Sequence, residues 1–157
     1  MDDTRSRFYR NLEKIVIDLV RAHRLEFKQE VPHLSKPLHR WMDFRLRYID
    51  PIPRQISVSK KFPKKLPAVV EKGLHVIEKL IREGKDVNPY QSKGLIRFND
   101  ISGGRRAKRT DLLWADWGIN HLHITDMPIA DGEYFSERKC SNGESWLLFC
   151  LFVGNTV

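Results

Sequence analysis

The most regular pattern in the chain runs from Leu66 to Glu83, where Val69, Val70, Leu74, Ile77, Leu80 and Ile81 recur three and four residues apart. A helix over this span presents one apolar stripe, and Gly84 stands where such a helix would end. This is scaffold, and it has to be packed against something. A second helix is expected from a cap at Asp3 or Thr4 to about Arg24, with Phe8, Leu12, Ile15, Val16, Leu19 and Val20 at helical spacing. Its other face carries Arg7, Arg10, Lys14, Arg21 and Arg24.

Other segments follow a period of two. From Met42 to Tyr48, apolar Met42, Phe44, Leu46 and Tyr48 alternate with Asp43, Arg45 and Arg47, as in a half-buried strand. The same residues also fit a helix from Pro37 to Ile49, on which Leu38, Trp41, Met42, Arg45 and Ile49 trace a face, so both readings stand at this point. Ser35 is placed to cap a helical turn there. Pro51 and Pro53 close the element. Arg54 to Ser59 reads as a short strand with Ile56 and Val58 inward, and Gly94 to Phe98 as another. Ile119 to Thr125 and Ser145 to Val153 complete the set, the last apolar throughout, as a central strand covered on both faces would be. Asn88-Pro89, Ser102-Gly103-Gly104, Asp131-Gly132 and Ser141-Asn142-Gly143 supply turns. The expected architecture is α+β, with two main helices packed on a small, mainly antiparallel sheet.

A chain of 157 residues suits one domain, 1–157, large enough to bury roughly two-thirds of its unfolded surface. Its longest apolar run, Trp146 to Val153, is far short of a membrane span, and its first residues are charged, so no membrane role and a cytoplasmic location are expected. The stretch Gly154-Asn155-Thr156-Val157 reads as a turn followed by the start of another strand. Either the natural chain is truncated here and continues past Val157, or another chain or the amino-terminal part covers that strand edge. A protein partner or a second copy at this edge is therefore an expectation. Cys140 and Cys150 have neither metal-binding nor disulfide-framework spacing; Cys150 is read as core and Cys140 as an exposed or half-exposed thiol.

The net charge of +8 is unevenly placed. Residues 1–65 hold sixteen Lys and Arg against eight Asp and Glu, residues 66–109 ten against five, and residues 110–157 two against seven. A basic amino-terminal half implies attraction to polyanions, with RNA or another nucleic acid the expected partner. Lys60, Lys61, Arg105, Arg106 and Lys108 are the candidate phosphate contacts.

No other window is as dense in chemically able groups as Arg109 to Asp126, which packs two histidines, three aspartates and two tryptophans into eighteen positions. On a strand, His121 and His123 fall on one face and Leu122 and Ile124 on the other. Two imidazoles side by side admit three chemistries. As metal ligands they would need a carboxylate, for which Asp126, Asp116 and Asp111 are candidates. As an acid–base pair they would cleave RNA without metal or cofactor, with Arg109, Arg106 or Arg138 holding the phosphate. Third, His123-Ile124-Thr125 fits the His-x-Thr core of two-histidine phosphoesterases, whose second motif would have to be His33-Leu34-Ser35, in a proline-flanked setting poorly suited to a strand. Trp114 and Trp117 suit base stacking or anchoring of the core, and Asp116-Trp117-Gly118 reads as the turn that delivers the histidine strand.

The segment Asp111 to Ile124, reading D-L-L-W-A-D-W-G-I-N-H-L-H-I, followed by an apolar strand like Leu147 to Val153, resembles small uncharacterised proteins of bacteria, their plasmids and phages. Arg54, Ser57 to Ser59 and the Leu66–Gly84 helix fit the resemblance loosely. It implies a setting in bacterial mobile elements, where toxin and defence roles are frequent, and no particular activity. In those proteins the chain continues beyond the point where this one stops. The expected function is a small toxin- or defence-type ribonuclease with His121, His123 and Arg109 as catalytic residues. The alternative is a non-enzymatic nucleic-acid- or protein-binding module with structural histidines.

Overall fold

The computed structural model describes residues 2–27, 36–91, 95–98, 112–130, 133 and 139–157, with the backbone alone at 2, 3, 5, 97, 98, 112 and 115. By its contacts the chain divides into two compact units, Met1–Tyr48 with Gly94–Arg109 and Ile49–Lys93 with Thr110–Val157. Helices and short strands occur in both, so the class is α+β as expected.

In the first unit, helix α1 (Asp2–Ala22) packs on helix α2 (Pro37–Arg47), and strands β1 (Glu26–Phe27) and β2 (Arg97–Phe98) form a two-residue parallel pair. The apolar stripe of α1 is its packing face only in part: Val16 and Val20 are buried and Leu12 and Leu19 half-buried, while Phe8 and Ile15 are exposed, as are Arg7, Arg10, Lys14 and Arg21. The choice between strand and helix after Pro37 resolves to helix. Pro37 occupies its first turn, where a missing N–H does no harm. Burial follows a helical period, with Phe44 buried and Trp41 and Tyr48 half-buried three and four residues to either side, but on a face turned from the one expected: Met42 and Arg45 of that face are exposed, as is Leu46 of the strand reading. What decides is a tertiary partner, since the His23 ring stands 5.1 Å from Trp41, 5.3 Å from Phe44 and 5.6 Å from Tyr48. The cap assigned to Ser35 lies outside the described residues.

The second unit is built on helix α3 (Ala68–Glu83), which ends at Gly84 in the left-handed conformation, as its sequence predicts. Val70, Ile77 and Ile81 on its inner face meet Leu122 and Ile124 of strand β3 (Asn120–Ile124). β3 pairs antiparallel with β4 (Trp146–Cys150). Helix α3 can lie close to β3 because it carries Gly73 at the crossing: a Cβ there would stand 2.7 Å from both Ile124 Cγ2 and the Thr125 carbonyl oxygen. Alanine is intrinsically better than glycine inside a helix by about 1 kcal/mol. Overlap with fixed backbone outweighs that gain, so Gly73→Ala is expected to destabilise the protein by about 1–3 kcal/mol, read as a lower urea midpoint. A midpoint at or above wild type would show that α3 shifts freely over β3.

Three expectations are corrected. Arg54 to Ser59 forms no regular strand: Gln55 makes a single parallel bridge to Thr156, and Val58 points outward, 56% exposed. Ser145 to Val153 is not covered on both faces. Trp146, Leu148 and Cys150 pack against the core, and Leu147, Phe149, Leu151 and Val153 are exposed, so among the described residues the run is covered on one face only. Cys140 is buried rather than exposed; the turn at residues 141–143 folds back so that its N–H bonds to the Glu144 carbonyl, and its thiol donates to the Ile124 carbonyl at 3.5 Å.

Burial pushes the Cys150 thiol up to about 12 from an ordinary 9.0. The folded state thus holds this proton more tightly than the unfolded chain does. The resulting stabilisation is complete below about pH 9 and is lost as pH rises toward 12. Denaturation midpoints that fall over this range in wild type are expected to fall less in Cys150→Ala. Equal slopes in the two proteins would contradict the burial argument.

Candidate functional site

The histidine strand is delivered by helix α4 (Leu112–Trp117), a helix where a turn was expected at Asp116-Trp117-Gly118. Gly118, at φ 66°, ends it and lets the chain reverse; its N–H bonds to the Trp114 carbonyl and that of Ile119 to the Leu113 carbonyl. Trp117 projects to solvent and Trp114 is half-buried.

Along β3 the sequence alternates as expected. Asn120, Leu122 and Ile124 are buried, and His121 and His123 are half-buried on the opposite face. The two imidazole rings lie 5.8 Å apart, tilted by 69°. Register adds what periodicity could not: His121 stands directly opposite Phe149 and His123 opposite Leu147. Directly opposed residues of an antiparallel pair share a face, so the histidines lie beside two exposed apolar side chains, Phe149 at 54% and Leu147 at 41%. Neither was among the expected site residues. No turn in the sequence signals this register, because the strands are joined through residues 125–145, and counting outward from the 141–143 turn pairs Cys140 with Glu144 instead.

Asp126 does not join the histidines as a ligand. Its Oδ1 accepts the Ser141 N–H at 2.7 Å and its Oδ2 the Ser141 hydroxyl at 2.6 Å, and these bonds hold the carboxyl below its ordinary range. Among the described residues, no group of three or more His, Cys, Asp or Glu side chains is placed to hold a metal ion. Thr125 is likewise committed: its hydroxyl donates to the Lys139 carbonyl and accepts from the Met127 N–H, and it is buried rather than displayed beside His123. That removes the hydroxyl a His-x-Thr phosphoesterase motif would use, and His33 lies outside the described residues.

The expected phosphate contacts are only partly visible. Lys60 and Lys61 are exposed on the loop before α3, where the Lys61 N–H bonds to the Ser59 hydroxyl. Arg105, Arg106, Lys108, Arg109, Asp111 and Arg138 lie outside the described residues. Two surface depressions occur elsewhere on this unit, one lined by Arg54, Gln55, Arg82, Asn155 and Thr156 and one by His75, Glu78, Lys79 and Glu83. Neither includes His121 or His123. Among the described residues no helix is long and apolar enough to cross a membrane.

No family model matches the chain, and neither a curated protein nor a solved structure matches it.

Proposed function

We propose that this protein binds RNA and cleaves it, with His121 and His123 as the acid–base pair. The observation that carries the reading is the pair itself: two imidazoles 5.8 Å apart on the solvent-reachable face of one strand, in a chain of net charge +8. One imidazole takes the proton of a ribose 2′-hydroxyl as that oxygen attacks phosphorus, and the other gives a proton to the departing 5′-oxygen. The new 2′-O–P bond replaces the P–5′-O bond, leaving a 2′,3′-cyclic phosphate and a free 5′-hydroxyl. Arg109 is the proposed partner of the charged phosphoryl oxygens. A small basic nuclease of this kind fits the toxin or defence roles of mobile elements.

The test is incubation of purified protein with RNA and with single-stranded DNA, with and without a chelator, beside His121→Ala and His123→Ala. Cleavage of RNA alone, unaffected by chelator and lost in both variants, is the expected result, because DNA lacks the attacking hydroxyl. Unchanged cleavage in both variants would overturn it.

A second reading is favoured by Leu147 and Phe149, which lie exposed directly across from the histidines. In it the protein is a non-enzymatic binding module, the histidines are structural, and a protein partner or second copy docks at β4. Binding without cleavage is its expected signature.

A further inference from the structure

The surface of α1 opposite its packing face carries a row of cations. At 3.6 residues per turn, Arg7, Arg10, Lys14 and Arg21 fall within about 60° of one another around the helix axis, over about 21 Å of its length. All four are exposed. Glu13 lies outside this sector, and Asp18 at its border pairs with Arg21 at 3.6 Å. Both partners of that pair are more than half exposed, so it contributes little and exchanges readily. Among the described residues Arg7 and Lys14 form no ion pair.

We infer that this row is a binding surface for the phosphate backbone of a nucleic acid, with each of Arg7, Arg10 and Lys14 meeting a phosphate. The inference rests on the nucleic-acid-directed part of the function proposed above, and it does not depend on cleavage. Charge identifies the occupant. A solvated helix face ordinarily interleaves acids with bases, whereas from residue 7 to residue 21 the one acid at this sector is Asp18, at its border. Straight rows of like charge match a polymer whose own charges are regularly spaced. An anionic bilayer is the less suitable polyanion. A helix that lies on a membrane inserts a continuous apolar face, and in α1 the middle of that face, Val16 and Val20, is buried where α1 packs on α2, which leaves Phe8 and Ile15 exposed to one side of it.

Counterion release supplies the measurement, because each phosphate contact steepens the fall of log K with log salt by about 0.9 on duplex DNA and about 0.7 on single strands. Binding of fluorescently labelled single-stranded RNA and of a duplex is followed by anisotropy between about 50 and 200 mM salt. The variant R7Q/R10Q/K14Q should show a slope shallower by about two to three, with helix content unchanged by circular dichroism. R7K/R10K, which keeps the charges, should retain the wild-type slope. K79Q/R82Q/K85Q, which removes as many cations from α3 and its following turn, should retain it as well.

An unchanged slope in the glutamine variant would overturn the inference, as would an equal loss in the α3 control, since affinity would then follow net charge alone. A third overturning result is binding to vesicles of phosphatidylcholine and phosphatidylserine, but not to RNA, that disappears in R7Q/R10Q/K14Q. Absence of cleavage together with α1-dependent RNA binding would instead remove the ribonuclease reading and leave this one standing.

Discussion

Alanine at His121 or at His123 is expected to lower the rate of RNA cleavage by roughly a hundred-fold or more, with RNA affinity close to wild type. Both side chains are half-buried on the outer face of β3, while the strand is held from its inner face by Leu122 and Ile124 against α3. Truncation at either position therefore removes little of what anchors β3, and a lost rate can be separated from a lost fold by an unchanged thermal midpoint. Because the two imidazoles act as one unit, the double variant should lose little beyond the more damaged single one. Wild type should show a bell-shaped dependence of rate on pH, and each single variant should lose one limb of it. Single variants within a few-fold of wild type would remove the acid–base assignment.

Asn88→Ala is expected to cause the largest loss of stability, roughly 2–6 kcal/mol. Asn88 is fully buried and ties four groups together. Its Oδ1 accepts the Ile49 N–H at 2.9 Å and the Gln91 side-chain N–H at 2.8 Å, and its Nδ2 donates to the Ile49 carbonyl at 2.8 Å and to Asp86 Oδ1 at 2.6 Å. Alanine leaves the backbone N–H and C=O of buried Ile49 without partners, at about 1–3 kcal/mol each. Asn88→Asp should be as harmful near neutral pH, since it puts a second carboxylate beside Asp86 and removes both donors. Unfolding in urea measures both variants, and a change below about 1 kcal/mol in Asn88→Ala would mean that water replaces the side chain.

What could be read from the sequence was whatever one period states unambiguously. Residues 66–84 have a single reading, and α3 ends at Gly84 as expected. The same holds for the placing of His121 and His123 on one face, because Leu122 and Ile124 between them leave no other inward pair. Residues 37–48 satisfy two periods at once, and the packing of His23 against Trp41 and Phe44 chooses between them. The run from Ser145 to Val153 has no period, so the sequence does not say which of its faces packs on the core. Phe149 and Leu147 join the site only through register, a relation between two strands. The burial of Cys140 arises from a turn that brings its thiol to the Ile124 carbonyl, and composition carries no trace of that.

Residues 54–57 are held by backbone about a hundred positions away: Gln55 N–H bonds to the Asn155 carbonyl, Ser57 N–H to that of Val157, and Val157 N–H returns to Gln55. During synthesis the ribosome delivers 54–57 long before their partners exist. Until residues 154–157 have left the exit tunnel, the backbone of residues 55–57 lacks its final hydrogen-bond partners and the core lacks Val157. The second unit therefore completes its fold only after those residues emerge.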